Sequence, residues 1–201
     1  LTALTGAVLA MRQRDIKKIL AYSTVSQLGL MAAGVGAHAP QAAMFHLTTH
    51  AFFKSCLFLT SGAFIHRFHS NDIWVIARGG GRKDAVPMLT LVIGLLSLCG
   101  LPPLSGFFSK DLILEAAKHH GWAAFGACVA VSVLTAYYSF RLLYIILLSR
   151  IQTHESGRSG AHAHEHAATH HEDILGGLAR ALPLLLLAAF SVYAGFLGSP
   201  W

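Results

Sequence analysis

The stretch AAMFHLTTHAFFKSCLFLTSGAFI, residues 42–65, is apolar and long enough to span a bilayer, yet carries a lysine near its middle. His46, His50 and Lys54 recur every four residues. In a helix they rise along one face, roughly 6 Å apart. A lysine at the centre of a membrane costs roughly 2.5–3.5 kcal/mol on insertion scales and almost always faces a bundle interior or a water-filled cavity. Burial disfavours the charged form of an amine, and imidazole titrates near neutrality. Three such groups in register, bridged by water, form a ladder able to pass protons. The plainer alternative is a pair of histidines that only hydrogen-bond a neighbouring helix, with the lysine neutralised by a structural carboxylate.

Composition places this ladder in a polytopic membrane protein. The chain is 54% hydrophobic and 12% charged, against about 25% charged residues in soluble domains. The formal net charge of +6 does not point to nucleic acid, because Lys and Arg lie in short segments between apolar spans rather than on one soluble face. Cys56, Cys99 and Cys128 fall inside predicted spans without CxxC or Cys/His ligand spacing. That argues against a disulfide framework, a zinc site or an iron–sulfur cluster. The opening residue sits within an apolar run that lacks the pattern of a signal peptide, so the chain reads as a piece of something longer.

The predicted architecture is an all-α, polytopic membrane helix bundle. Residues 1–11 form the tail of a span, closed by Arg12, Arg14, Asp15, Lys17 and Lys18. Residues 19–37 form the next, with Tyr22, Ser23, Ser26 and Gln27 suited to packing against other helices. The short loop at 38–41 makes it the antiparallel neighbour of the 42–65 span. Residues 67–84 read as a connection in which GGGRKD prevents regular structure; it lacks the GxxxxGK[ST] spacing of a phosphate-binding loop.

Residues 86–117 read as one span broken at LPPLSG, since Pro102 and Pro103 lack backbone donors and Gly106 is permissive. In transporters such breaks mark the site of transport. Two separate elements joined by an ordinary loop are the alternative. Ser109 is expected to cap the second half-helix, with Lys110 and Asp111 in its first turn, where the dipole favours the carboxylate and disfavours the ammonium. Residues 121–148 form a further span, in which Arg141 snorkels or pairs with a carboxylate. Residues 149–181 form a polar loop with six histidines between His154 and His171, read as a solvated linker rather than a metal site. A last helix occupies 182–201. Lys and Arg concentrate in alternate connections, which the positive-inside rule assigns to the cytoplasmic side or its equivalent.

Three segments, DIKKILAYSTVSQLGLM, AAMFHLTTHAFFKSCLFLTSG and LCGLPPLSGFFSKDLIL, together resemble the antiporter-like membrane subunits of respiratory complex I. Within these, FFSKD and the His-rich loop are similar to the branch called subunit L in bacteria and subunit 5 in mitochondria. The resemblance runs from Asp15 to Trp201. It implies that Lys54 is the central relay lysine, that His46 and His50 belong to the hydrated axis beside it, and that Lys110, with Asp111, is the lysine of the broken helix near the exit of a half-channel. It also implies a charged pair, Asp15 and Lys17, at the head of a helix. In that family two inverted five-helix repeats each supply half of a proton path, and residues 1–148 resemble the second. The glutamate–lysine pair of the first repeat and the long lateral helix have no counterpart here. GGGRK departs slightly from the usual GGLRK.

The function so implied is proton translocation driven by quinone reduction elsewhere in a proton-pumping NADH:quinone oxidoreductase. The chain itself would hold no cofactor; NADH, FMN, iron–sulfur clusters and quinone would belong to other subunits. Its partners would be neighbouring membrane subunits and the bilayer, in a bacterial or archaeal cell membrane. Two alternatives stay open: the large subunit of a multisubunit sodium/proton antiporter, for which FLSKE would be the more usual spelling of FFSKD, and the equivalent subunit of a ferredoxin- or F420H2-dependent relative. A non-transporting scaffold would not need Lys54 and Lys110 at membrane depth.

Overall fold

The computed structural model describes residues 1–148 and 174–197. Among these described residues eight α-helices follow one another: α1 Thr2–Arg12, α2 Ile16–Gly36, α3 Pro40–Phe68, α4 Ile73–Arg78, α5 Ala85–Cys99, α6 Ser105–His120, α7 Trp122–Leu148 and α8 Ile174–Leu197. By length and composition α2 and α7 are apolar enough to cross a membrane. The polar ladder is built into α3, whose 29 residues extend about 43 Å at 1.5 Å per residue.

Helix ends follow local chemistry. Pro40 opens α3, where its fixed φ and missing N–H carry no penalty, and His69 closes it in the left-handed region at φ 49°. The Asp15 side chain accepts from the backbone N–H of Lys17 at 2.8 Å and of Lys18 at 3.2 Å. Both lysines therefore lie inside α2, which starts three residues before the expected 19. The expected pair of Asp15 and Lys17 is a helix cap in which Lys17 contributes its backbone rather than its ammonium.

The 67–84 connection is more ordered than GGGRKD suggests. Asp72 caps the six-residue α4 by accepting from Trp74 N–H at 2.7 Å, and a 3-10 turn covers Gly81–Lys83. Six residues cannot hold a helix alone; tertiary contacts hold this one. Ile16 N–H donates to Asn71 O at 2.9 Å and Ile73 N–H to Arg14 O at 3.0 Å, so the α1–α2 corner and the start of α4 are locked together. Asp72→Ala removes the cap and is expected to cost about 0.5–2 kcal/mol, read as a lowered apparent Tm of the detergent-solubilised full-length protein. An unchanged Tm would show that the interlock, not the cap, sets this corner.

The same end of the bundle gathers the basic residues. Arg67 pairs with the buried Asp84, Arg82 donates to Leu147 O, and Arg141 donates to Gln13 O at 3.0 Å. The last is a carbonyl, not the carboxylate or interface expected for Arg141. At the other end the rings of His38 and His120 lie 6.0 Å apart.

Helix α5 ends at Gly100, whose φ of +80° suits glycine. The following prolines stop it from continuing. Helix α6 then begins at Ser105, not at Ser109. Ser109 is consequently in its second turn, and its hydroxyl lies 3.1 Å from Ser105 O instead of capping an end. Both helices pack along α3 in reverse chain order. Thr90 meets Thr60 through hydroxyls 2.8 Å apart, Leu57 lies against Gly94, and Ser109 reaches His46 and Thr49.

Helix α8 starts eight residues before the expected 182 and follows the same course. Cys56 lies beside both Thr90 O and Leu184 O, Phe52 stacks on Phe190 at 5.1 Å, and Phe108 meets Phe196 at 5.1 Å. The His-rich stretch at 149–173 lies outside the described residues. The main apolar core joins α1, α2, α3, α4, α5 and α7, with Phe53, Leu57, Phe64, Leu91, Tyr138 and Leu142 at its centre.

Candidate functional site

The interior of the bundle carries a polar axis where α2, α3, α6 and α7 meet. Lys54 is 5% exposed. Its Nζ donates to Leu20 O at 2.8 Å and to Ser23 Oγ, and the Phe58 ring lies 5.9 Å away. These contacts use two of the three donors of an ammonium. No carboxylate pairs with it; among the described residues the one side-chain ion pair is Arg67–Asp84. Among the described residues no acid neutralises Lys54.

His46, fully buried, is held at both ring nitrogens, with Nδ1 2.8 Å from Ser109 Oγ and Nε2 3.1 Å from Gln27 Oε1. The network assigns its tautomer. An amide oxygen only accepts, so the neutral ring donates from Nε2 and accepts at Nδ1. The resulting chain points one way. Thr49 donates to Ser109 at 2.9 Å, Ser109 to His46, His46 to Gln27, Gln27 Nε2 to Thr135 Oγ1 at 3.1 Å, and Thr135 to Val131 O at 2.8 Å. His50 is different: it is 5% exposed and its Nε2 has no partner among the described residues. One histidine is locked, and its neighbour one turn along is free at a ring nitrogen.

Lys110, 4% exposed, donates to Leu98 O at 2.5 Å. Chain geometry explains why that carbonyl is available. In a continuous helix Leu98 O would accept from the N–H of residue 102, which is a proline. The ammonium supplies the donor that Pro102 lacks. Lys110 also lies within electrostatic range of His46, His50 and Lys54. Asp111 does not join it; its side chain is exposed while Lys110 points inward. Asp15 and Lys17 lie apart from the axis, at the basic end.

Gln27, expected to pack, bridges His46 and Thr135, and Ser109, expected to cap a helix, bridges Thr49 and His46. Thr135, Tyr138 and Ser139, buried on α7, are not among the expected residues. Their signal was present: LTAYYSF places three polar groups at i, i+3 and i+4, one face of a helix.

Fold and interior together define a class, a multi-pass membrane helix bundle with an enclosed axis of lysine, histidine and hydroxyl groups. The chain belongs to the transmembrane family of the NADH:quinone oxidoreductases and Mrp antiporters, whose profile matches residues 1–136. It is 40% identical over 199 residues to the NADH-quinone oxidoreductase subunit L of Rickettsia felis, covering 98% of this chain and 28% of that protein. It is also 40% identical over 201 residues to the NADH-ubiquinone oxidoreductase chain 5 of Metridium senile, covering 98% and 31%. The chain thus spans about three tenths of the length of these curated relatives.

Among solved structures, a chain of the Mrp complex from Dietzia sp. DQ12-45-1b superposes with a TM-score of 0.78 at 27% identity, over 98% of this chain and 42% of that one. A chain of respiratory complex I from Thermus thermophilus superposes with a TM-score of 0.68 at 24% identity, over 98% and 42%, and shares the fold.

Proposed function

We propose that this chain forms part of a subunit L-type membrane subunit of a proton-translocating NADH:quinone oxidoreductase, and that its second-repeat segment, residues 1–148, carries protons along a relay of His50, Lys54 and Lys110 with His46 hydrogen-bonded beside it. Asp111 stands at the same turn as Lys110, and Asp15 with Lys17 organises the head of α2. Redox cofactors and quinone belong to other subunits. The observation that carries the reading is the enclosure of two lysines and two histidines on one interior axis, with no buried acid beside them among the described residues. Such groups in a membrane interior are expensive unless they work.

The same reading takes α5 and α6 as two halves of one discontinuous span. Its support is their serial course along α3, from Thr90 against Thr60 to Ser109 against His46. Lys110 at the break then links the freed backbone to the axis, as unwound segments do in transporters. A proton reaching His50 Nε2 passes to Lys54 or toward Lys110, while His46, held at both nitrogens, orients Ser109 and Gln27. The second reading, sodium/proton exchange, is favoured by the likeness to a chain of an Mrp complex. The identity to subunit L is the higher of the two.

Sealed vesicles containing the full-length subunit in its assembled complex separate these readings. Proton uptake on donor oxidation, lost for the most part in Lys54→Ala, is the expected result. Uptake driven instead by a sodium gradient, with none on donor oxidation, transfers the assignment to an exchanger. Unchanged uptake by the assembled Lys54→Ala complex removes the relay.

A further inference from the structure

A cleft of about 520 Å³ opens at the basic end of the bundle, where the α1–α2 corner meets the start of α4; Arg12, Arg14, Lys18, Asn71 and two carboxylates, Asp15 and Asp72, line it. Its acceptors are already committed. Asp15 takes the backbone N–H groups of Lys17 and Lys18, Asp72 takes that of Trp74, and the Gln13 carbonyl accepts from Arg141. The Arg14 and Asn71 carbonyls accept from Ile73 and Ile16. Its cations are free. Among the described residues the side chains of Arg12, Arg14 and Lys18 have no hydrogen bond or ion pair, whereas Arg67, Arg82 and Arg141 at the same end each have a partner. The backbone interlock holds the walls, so three unpaired cations line one fixed cleft.

The surface leading away from the cleft is apolar. On α1, Val8 and Leu9 are exposed one turn before Arg12. On α2, Ala21, Val25 and Leu28 are exposed beyond Lys18 at spacings of three and four, which puts them on one helix face. Each apolar stripe thus ends at a cation of the cleft. Trp74, exposed two residues after Asp72, adds an indole at this end of the bundle, the residue type enriched where a membrane meets water. We propose that the cleft binds the phosphate headgroup of an anionic phospholipid, whose acyl chains lie along the exposed stripes of α1 and α2. The guanidinium groups of Arg12 and Arg14 offer paired donors that match phosphate oxygens. Lys18 supplies a third positive charge, and the Asn71 amide a neutral donor. A free phosphate would use the same cations but leave both stripes without a role. The assignment goes beyond the relay and does not depend on it.

The test uses the full-length subunit in its assembled complex, in phosphatidylcholine vesicles doped with phosphatidylglycerol that carries a photoactivatable group on an acyl chain. Labelling of residues 1–36 is expected to exceed that from phosphatidylcholine bearing the same group. It is expected to fall about fivefold for each cation removed by Arg12→Gln, Arg14→Gln and Lys18→Gln, the worth of one basic residue at an anionic lipid surface. Arg78→Gln and Lys83→Gln remove exposed cations outside the cleft and are expected to leave labelling unchanged. An equal fall in those two would assign the effect to general surface charge and overturn the site. Displacement by inorganic phosphate at the concentration of the lipid would make the ligand a soluble anion and overturn the lipid assignment. If the triple variant lowers the amount of complex, Lys18→Gln alone carries the same readout. Wild-type labelling no stronger than that of the phosphatidylcholine probe, or unchanged labelling in whichever variant assembles, overturns the proposal. Lys54→Ala is expected to label like wild type while its proton uptake falls, so the lipid site and the relay are judged separately.

Discussion

Lys54→Ala is expected to reduce donor-driven proton uptake to roughly a hundredth of wild type, the lower end of the 10²–10⁴-fold contribution of a positioned proton-transfer group. Assembly is expected to survive. The ammonium lies between α2 and α3 against Leu20 O and Ser23 Oγ, and its removal leaves those partners served: Ser23 Oγ still donates to Leu20 O at 2.8 Å, and Thr24 Oγ1 to the same carbonyl at 3.0 Å. Truncation therefore leaves a cavity without an orphaned charge. Lys54→Arg is the informative companion. It keeps a positive charge but holds its proton throughout the accessible pH range, so it is expected to assemble and to pump no better than alanine. Pumping by the arginine variant at wild-type rate would mean that a fixed charge, not a proton carrier, is what the axis requires.

The ladder itself was legible because its information is local. Four-residue spacing fixes a helix face, and three titratable groups on one face of an apolar helix say that the face is interior. What faces them is a matter of tertiary packing. Periodicity could not show that Ser109 would meet His46 and Thr49, because that depends on where α6 begins, four residues earlier than the serine that looked like a cap. Nor could it join Gln27 to Thr135, 108 residues apart.

The connection at 67–84 failed for the same reason in reverse. Its triple glycine argued for irregular backbone, and the short α4 is held because Arg14 O accepts from Ile73 N–H in its first turn while Asn71 O, just before it, accepts from Ile16 N–H. The partner of Lys110, by contrast, was within reach of sequence reasoning. A proline leaves the carbonyl four residues before it without a donor, which names Leu98, and a lysine eight residues after the proline lies on the next helix. Asp111 follows Lys110 on α6, and because adjacent residues on a helix point about 100° apart, it faces outward where Lys110 faces the interior.

Gly106→Ala is expected to prevent accumulation of the folded subunit. A Cβ on Gly106 would stand 1.8 Å from Ser97 O and 2.8 Å from Ser97 C. Both are backbone atoms in the last turn of α5, so no side chain can rotate away. Relief requires α5 and α6 to separate. Separation also breaks the bond from Gly106 N–H to Ser97 Oγ at 3.3 Å, the Ser97–Ser105 hydroxyl contact at 3.2 Å and the reach of Lys110 to Leu98 O. The combined loss falls in the class above about 4 kcal/mol that point substitutions seldom reach. The measurement is complex content by native electrophoresis, with proteolysis of membranes to detect an opened α5–α6 junction.

Gly36→Ala and Gly62→Ala are the controls. A Cβ at either position meets nothing within 4 Å, and both lie in helices, where alanine is favoured over glycine by about 0.5–1 kcal/mol. They are expected to accumulate at least as well as wild type. Gly106→Ala accumulating equally well would mean that the two helices do not cross this closely. Lys110 would then lose the Leu98 carbonyl that holds it between α5 and α6.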